Sequence, residues 1–138
     1  MVTVIDDDLT LSNGLAFSPD EDLLYVSDTS RVRRTPSGGN AIIVFDVIGG
    51  RDLANPRTFV IVEPGLSDGF RVDRNGFLFT SSADAVQVFH PDGALCARIP
   101  VPERVGNLTF GGHAGDELFI CASTSLYRIR LNTSGATS

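Results

Sequence analysis

The sequence predicts an all-β protein made of about three similar sheet units, and three observations lead there. Short apolar runs alternate with polar residues at period two. Clusters of Gly, Pro, Asn and Asp separate the runs, and one five-residue opening recurs three times. No stretch sustains a helical period for three turns.

The first unit opens on Asn13-Gly14-Leu15-Ala16-Phe17 and passes through the turn Ser18-Pro19-Asp20 to a strand over Leu23 to Ser27. Beyond the longest predicted loop, Ser30 to Asn40, come Ala41 to Val47 and Thr58 to Val62. The second unit opens on Asp68-Gly69-Phe70-Arg71-Val72, turns at Arg74-Asn75-Gly76, and continues as Phe77 to Ser82 and Ala85 to Phe89. After His90-Pro91-Asp92-Gly93 it ends in Ala94 to Pro100. The third opens on Gly106-Asn107-Leu108-Thr109-Phe110 and turns over Gly111 to Gly115. It closes with Glu117 to Ala122 and Ser125 to Leu131. In these turns glycine supplies positive φ, and Asn or Asp side chains bond to nearby backbone. Asp20 and Asp73 are expected to cap turns, and Asp28 to tie strands together. Tyr25, Phe45, Phe89, Phe110, Phe119 and Tyr127 fall on strands and are expected in the core.

The openings are 55 and 38 residues apart, which brackets the roughly 40 to 50 residues of one four-stranded propeller blade. The chain, residues 1–138, is therefore expected to be a single partial β-propeller domain with repeats near 13–62, 68–104 and 106–131. A sandwich would also supply many short strands, but not a shared opening for each unit. Because three blades cannot close a ring, exposed apolar flanks and strand edges are expected unless something completes the piece.

The 17 acidic and 11 basic residues give a net charge of -6, which argues against nucleic acid as a partner. The one basic cluster, Arg31, Arg33 and Arg34, reads as a solvated loop, or else as the rim of a cavity that meets an anionic substrate. No apolar run approaches the roughly 18 residues that cross a bilayer, so no membrane association and a cytoplasmic location are expected. Cys96 and Cys121 lie within apolar runs and are expected as buried free thiols. His90 and His113 sit in turns without a histidine partner and are expected to face solvent.

Several segments, in order, resemble the senescence marker protein/gluconolactonase/regucalcin-like family. Ser12 to Asp20 with Leu24-Tyr25-Val26-Ser27-Asp28-Thr29 is similar to the opening of that family's fourth blade. Asp68 to Gly76 is similar to the fifth-blade opening, and Asn107 to Gly112 with Ser125 to Leu131 to the sixth blade and the end. The resemblance implies the carboxyl-terminal half of a six-bladed propeller that hydrolyses sugar or related lactones with one divalent ion. That ion is Ca2+ in the first instance, with Zn2+, Mn2+ or Mg2+ as alternatives. It also implies that Asn13 is a metal ligand, and that Asp68 is both a ligand and the catalytic base.

Taken alone, Asn13-Gly14 and Asp68-Gly69 are ordinary turn dipeptides. Their matching positions in adjacent repeats carry the functional reading, and Gly106 leaves the third repeat without a donor. The sequence departs from the family pattern at Ser12, where proline is usual, and at Phe79, where tryptophan is frequent. The family's first ligand, a glutamate, and its substrate-holding residues would lie before Met1. The expected partners are thus a lactone and either an amino-terminal propeller half or a second copy of this chain. The alternative to an enzyme is a non-catalytic propeller module that binds a partner.

Overall fold

The computed structural model describes residues 1–9, 11–29 and 40–136. The Arg31, Arg33 and Arg34 cluster lies outside them, as does nearly all of the predicted Ser30 to Asn40 loop. All described regular structure is β, and no described helix is long and apolar enough to cross a membrane. Eleven strands form three antiparallel sheets. The first contains β1 (Ser12–Phe17), β2 (Leu23–Asp28), β3 (Ala41–Ile48) and β4 (Asp52–Ile61). The second contains β5 (Phe70–Val72), β6 (Leu78–Ser81), β7 (Ala85–Phe89) and β8 (Leu95–Pro100). The third has β9 (Val105–Gly111), β10 (Glu117–Ala122) and β11 (Leu126–Arg130), leaving β11 as its outer strand. Within each sheet the strands pair in chain order, as a propeller blade requires.

Alternation within each strand sends one set of side chains to each neighbouring sheet. Tyr25, Ile42, Val44 and Val62 of the first blade pack with Phe70, Leu78 and Phe89 of the second. On the opposite face of the second blade, Phe79, Val86 and Val88 meet Leu108, Leu118 and Ile120 of the third. A third cluster, Leu24, Val26, Ala41, Ile43 and Phe45, forms the outward face of the first blade, with Leu9 packed against it. Leu15 and Phe17 pair with Val26 and Leu24 on that same face and remain exposed, at 60% and 46%.

The third blade's outward face departs from expectation. Register places Thr109, Glu117, Phe119, Cys121, Leu126, Arg128 and Arg130 there, a mainly polar surface rather than an apolar flank. Arg130 pairs with Glu117 at 3.2 Å and approaches Asp116 at 3.8 Å. Cys121 is consequently exposed, and Cys96 is exposed on the outermost strand β8, so neither thiol is buried as expected. Cys96 sits at the register shift of the outer strand β8, and strand alternation turns Cys121 to the outward face of the third blade regardless of side-chain polarity. For the same reason Phe119 is only half-buried, while Tyr25, Phe45 and Phe89 lie in the core as expected.

The strand expected over Thr58 to Val62 begins earlier, at Asp52. Gly49 and Gly50, at φ 62° and 72°, make the turn that returns the chain from β3, and the Arg51 amide donates to Ile48 at 3.2 Å. Asn55 and Pro56 look like strand breakers, yet β4 is an outer strand, where a missing amide costs no ladder bond. Asp46 accepts from the Asn55 amide at 2.8 Å and pairs with Arg57 at 3.0 Å, holding the irregular register at this point.

Beyond β11 the chain crosses to the second blade instead of adding a fourth strand to the third. Thr133 donates to Asp73 at 2.8 Å, the Arg74 amide to Ser134 at 2.9 Å, and the Ala136 amide to Val72 at 3.0 Å. Asp73 also accepts from the Asn75 and Phe77 amides, both at 2.9 Å, so it caps its turn as expected and receives the crossing segment. Asp20 caps its turn through Ser18 and the Asp22 amide, and Asp28 accepts from the Leu11 amide.

Candidate functional site

The first strand of each sheet is its inner strand: β1 packs against β5, and β5 against β9. This packing brings the three openings side by side. Asn13 lies in β1 and Asp68 just before β5, and the Asn13 Nδ2 donates to Asp68 Oδ1 at 3.1 Å. Asn13 is exposed and Asp68 half-buried, so the pair faces an open space rather than a core.

The glycines that follow them do not serve turns. Neither Gly14 nor Gly69 has positive φ. Instead, a Cβ on Gly14 would stand 2.2 Å from the Asp68 carbonyl oxygen, and one on Gly69 would stand 2.1 Å from Asn107 Oδ1. Glycine is required because the next blade's inner strand occupies the side-chain position. The Gly69 amide also donates to the Gly106 carbonyl at 3.0 Å, joining the second blade to the third.

A local irregularity aims the two polar side chains. In the first blade Ser12 pairs with Asp28 and Leu15 with Val26, so Asn13 and Gly14 together face the single residue Ser27. In the third, Val105 pairs with Ala122 and Asn107 with Cys121, which sets Gly106 and Asn107 against Cys121. Such bulges re-aim a side chain relative to the regular pleat. In the second blade Ser81 takes the equivalent place: its Oγ accepts the Asp68 amide at 2.9 Å, and its own amide donates to Gly69 at 3.0 Å. Ser27 and Ser81 were not distinguishable in the sequence, where a serine at a strand end carries no pattern. Counted from the matched openings, Ser27 lies 14 residues after Asn13 and Ser81 lies 13 after Asp68, so no shared spacing points to them.

The donor set can be tested against a divalent ion by its chemistry. A carboxylate and a carboxamide offer hard oxygen donors, which suit Ca2+ or Mg2+ better than they suit zinc, with its preference for nitrogen and sulfur. The amide group can rotate about its last bond and present oxygen in place of nitrogen. Two residues supply only part of the six to eight oxygens that calcium takes. No cluster of three His, Cys, Asp or Glu suited to a metal occurs among the described residues. The pair therefore fits a hard cation in kind, and the remaining oxygens must come from elsewhere.

The other singled-out residues stand apart from this pair. His90 accepts the Asp92 amide on Nδ1 at 3.0 Å and meets Phe77 edge-on, and His113 is an exposed turn residue. An apolar groove of about 350 Å³, lined by Phe77, Phe79, Val88, Ile99 and Leu131 among others, shares no residue with Asn13 or Asp68.

Residues 1–124 match the family model described as SMP-30/Gluconolactonase/LRE-like region. The chain is 34% identical over 143 residues to the gluconolactonase of Zymomonas mobilis, covering 96% of this chain and 38% of that protein. It is 30% identical over 151 residues to lactonohydrolase oryH of Aspergillus oryzae, covering 97% of this chain and 32% of the relative. A solved gluconolactonase from Xanthomonas campestris superimposes with a TM-score of 0.78 at 43% identity, over 91% of this chain and 39% of its own. The chain thus spans well under half the length of these proteins. By this match the chain belongs to the SMP-30/Gluconolactonase/LRE-like family.

Proposed function

We propose that this chain carries one part of a divalent-metal lactonase centre, in which Asn13 and Asp68 are ligands and Asp68 is also the base. The observation that carries the reading is the direct Asn13–Asp68 contact at 3.1 Å between adjacent inner strands. Family membership supplies the reaction class: hydrolysis of sugar or related lactones. Bound between these residues, Ca2+ would polarise a lactone carbonyl and make water more acidic. Asp68 supplies the negative charge that offsets the ion, and a carboxylate oxygen that takes a proton from water and returns it to the departing alkoxide. Asn13 contributes a neutral oxygen to the ion and, with no ion bound, donates its amide to Asp68.

With only two protein oxygens the isolated chain is expected to bind Ca2+ weakly, on the order of 0.1 to 1 mM, and to turn over little or no lactone. Titration calorimetry and a pH-stat assay with glucono-lactone check both; robust hydrolysis by the purified monomer would overturn the partial-site reading. In a complete ring, Asp68→Asn should lower turnover by roughly 100-fold, the scale of a lost acid/base group. Recovery of that variant's rate at high metal would reduce Asp68 to a ligand.

A further inference from the structure

We propose that Ser27 and Ser81 are positioning residues that hold Asn13 and Asp68 in their working orientation, an inference that rests on reading that pair as the functional site. Both serines are fully buried, at 0% exposure, although serine is a mostly exposed residue type. Ser81 Oγ accepts the Asp68 amide at 2.9 Å within the second blade. Ser27 Oγ accepts the Gly14 amide at 2.8 Å and lies 3.4 Å from two carbonyl oxygens, that of Gly14 and, across the blade boundary, that of Asp68. The peptide of Asp68 is thus held at its amide by its own blade and approached at its carbonyl by the preceding one.

The third blade supplies the comparison that gives this arrangement meaning. It shares the same bulge, but three positions change together: Gly106 stands where Asn13 and Asp68 stand, Asn107 replaces the close-approach glycine, and Cys121 replaces the serine. A serine hydroxyl is therefore found in the two blades whose opening position is polar, Asn13 and Asp68, and not in the third, where that position is Gly106. Were the hydroxyl needed only to fold the bulge, the third blade would need it equally.

The test uses the whole chain, labelled with 15N, and compares Ser27→Ala, Ser81→Ala and Ser81→Cys with Ser82→Ala. Ser81→Cys keeps a side chain of nearly the same shape with a weaker acceptor, so it leaves no void and should fold even where alanine does not. Ser82 is also buried, but its hydroxyl bonds only Ala85 in its own turn, so its variant reports general destabilisation. Without metal, the Ser27 and Ser81 variants should move the Asn13 side-chain amide resonances toward those of a solvated asparagine, while Ser82→Ala leaves them in place. With Ca2+ alone as the probe, their apparent affinity should fall about 10-fold, the scale of a lost orienting partner. Unmoved Asn13 resonances in both serine positions, or equal movement in Ser82→Ala, would overturn the proposal. A wild-type chain that ignores Ca2+ while Asn13 still moves in the serine variants supports the positioning role and defeats the metal reading separately.

Discussion

On the outward face of the first blade Leu24, Val26, Ile43 and Phe45 are buried, whereas the same side of the third blade offers Glu117, Arg128 and Arg130. Both faces end the same arc of sheets, and both stand where a further blade would pack. Their chemistry sets different terms. Apolar surface gains by leaving water at roughly 25 cal/mol per Å², so the first face is stabilised by whatever covers it. Exposed ion pairs such as Arg130–Glu117 gain little from each other in water, and the third face can remain solvated. Repetition of a unit therefore does not make its two ends equivalent.

The largest test of this contrast is truncation of one aromatic on each face. Phe45→Ala removes a side chain only 1% exposed and should cost about 3 to 5 kcal/mol in urea unfolding. Phe119→Ala, on the half-open face of the third blade, should cost about 1 kcal/mol. Equal losses would mean that the third face is covered as thoroughly as the first.

Next in size, Asp73→Ala leaves two amides and the Thr133 hydroxyl without their acceptor, and should cost about 2 kcal/mol. Limited proteolysis should then cut the residue 133–136 segment earlier than in the parent, which would show that this segment fastens the third blade to the second.

Glu103 provides a pH-dependent version. Hydrogen bonds from Thr124 first, and then from Tyr127, hold its carboxyl below the ordinary value of 4.5. A lowered folded pKa means that the contribution to stability is present above about pH 4.5 and is lost as pH falls through the lower folded value. The melting-temperature difference between the parent and Glu103→Gln should therefore shrink on acidification below pH 4.5, and stay constant from pH 6 to 8. The smallest effect belongs to Arg130→Ala, within about 1 kcal/mol and diminishing in 0.5 M salt. A larger, salt-insensitive loss would indicate that this face is not solvated.

Much of this architecture could be read before any coordinates. The alternating runs placed most strands within a residue or two, since alternation is a direct record of which side is buried. The turns at Ser18-Pro19-Asp20 and Arg74-Asn75-Gly76 followed from backbone requirements that few residues meet. What stayed hidden depended on which face lacks a neighbour. Cys121 is an apolar residue in an apolar run, exposed because its face of the third blade has no neighbour, and Cys96 is exposed by its place on the outer strand β8. The start of β4 was obscured by Asn55 and Pro56, whose tolerance follows from an outer position that is visible only once the sheet is assembled. For the site, matching repeats singled out Asn13 and Asp68, and the structure brings them into contact. The serines behind them emerge only from register.

Gly14 and Gly69 also determine a property of the molecule as a whole. Each removes one methyl group's thickness where neighbouring inner strands meet, while the outer strands keep their full side chains. Sheets packed closer at one edge than at the other form wedges, and the taper of a wedge decides how many complete a circle. Alanine at either position would push the narrow ends apart, flatten the taper and enlarge the circumference that a closed ring needs. Two absent methyl groups thus act as the gauge of curvature, and let side chains from adjacent blades, Asn13 and Asp68, meet directly.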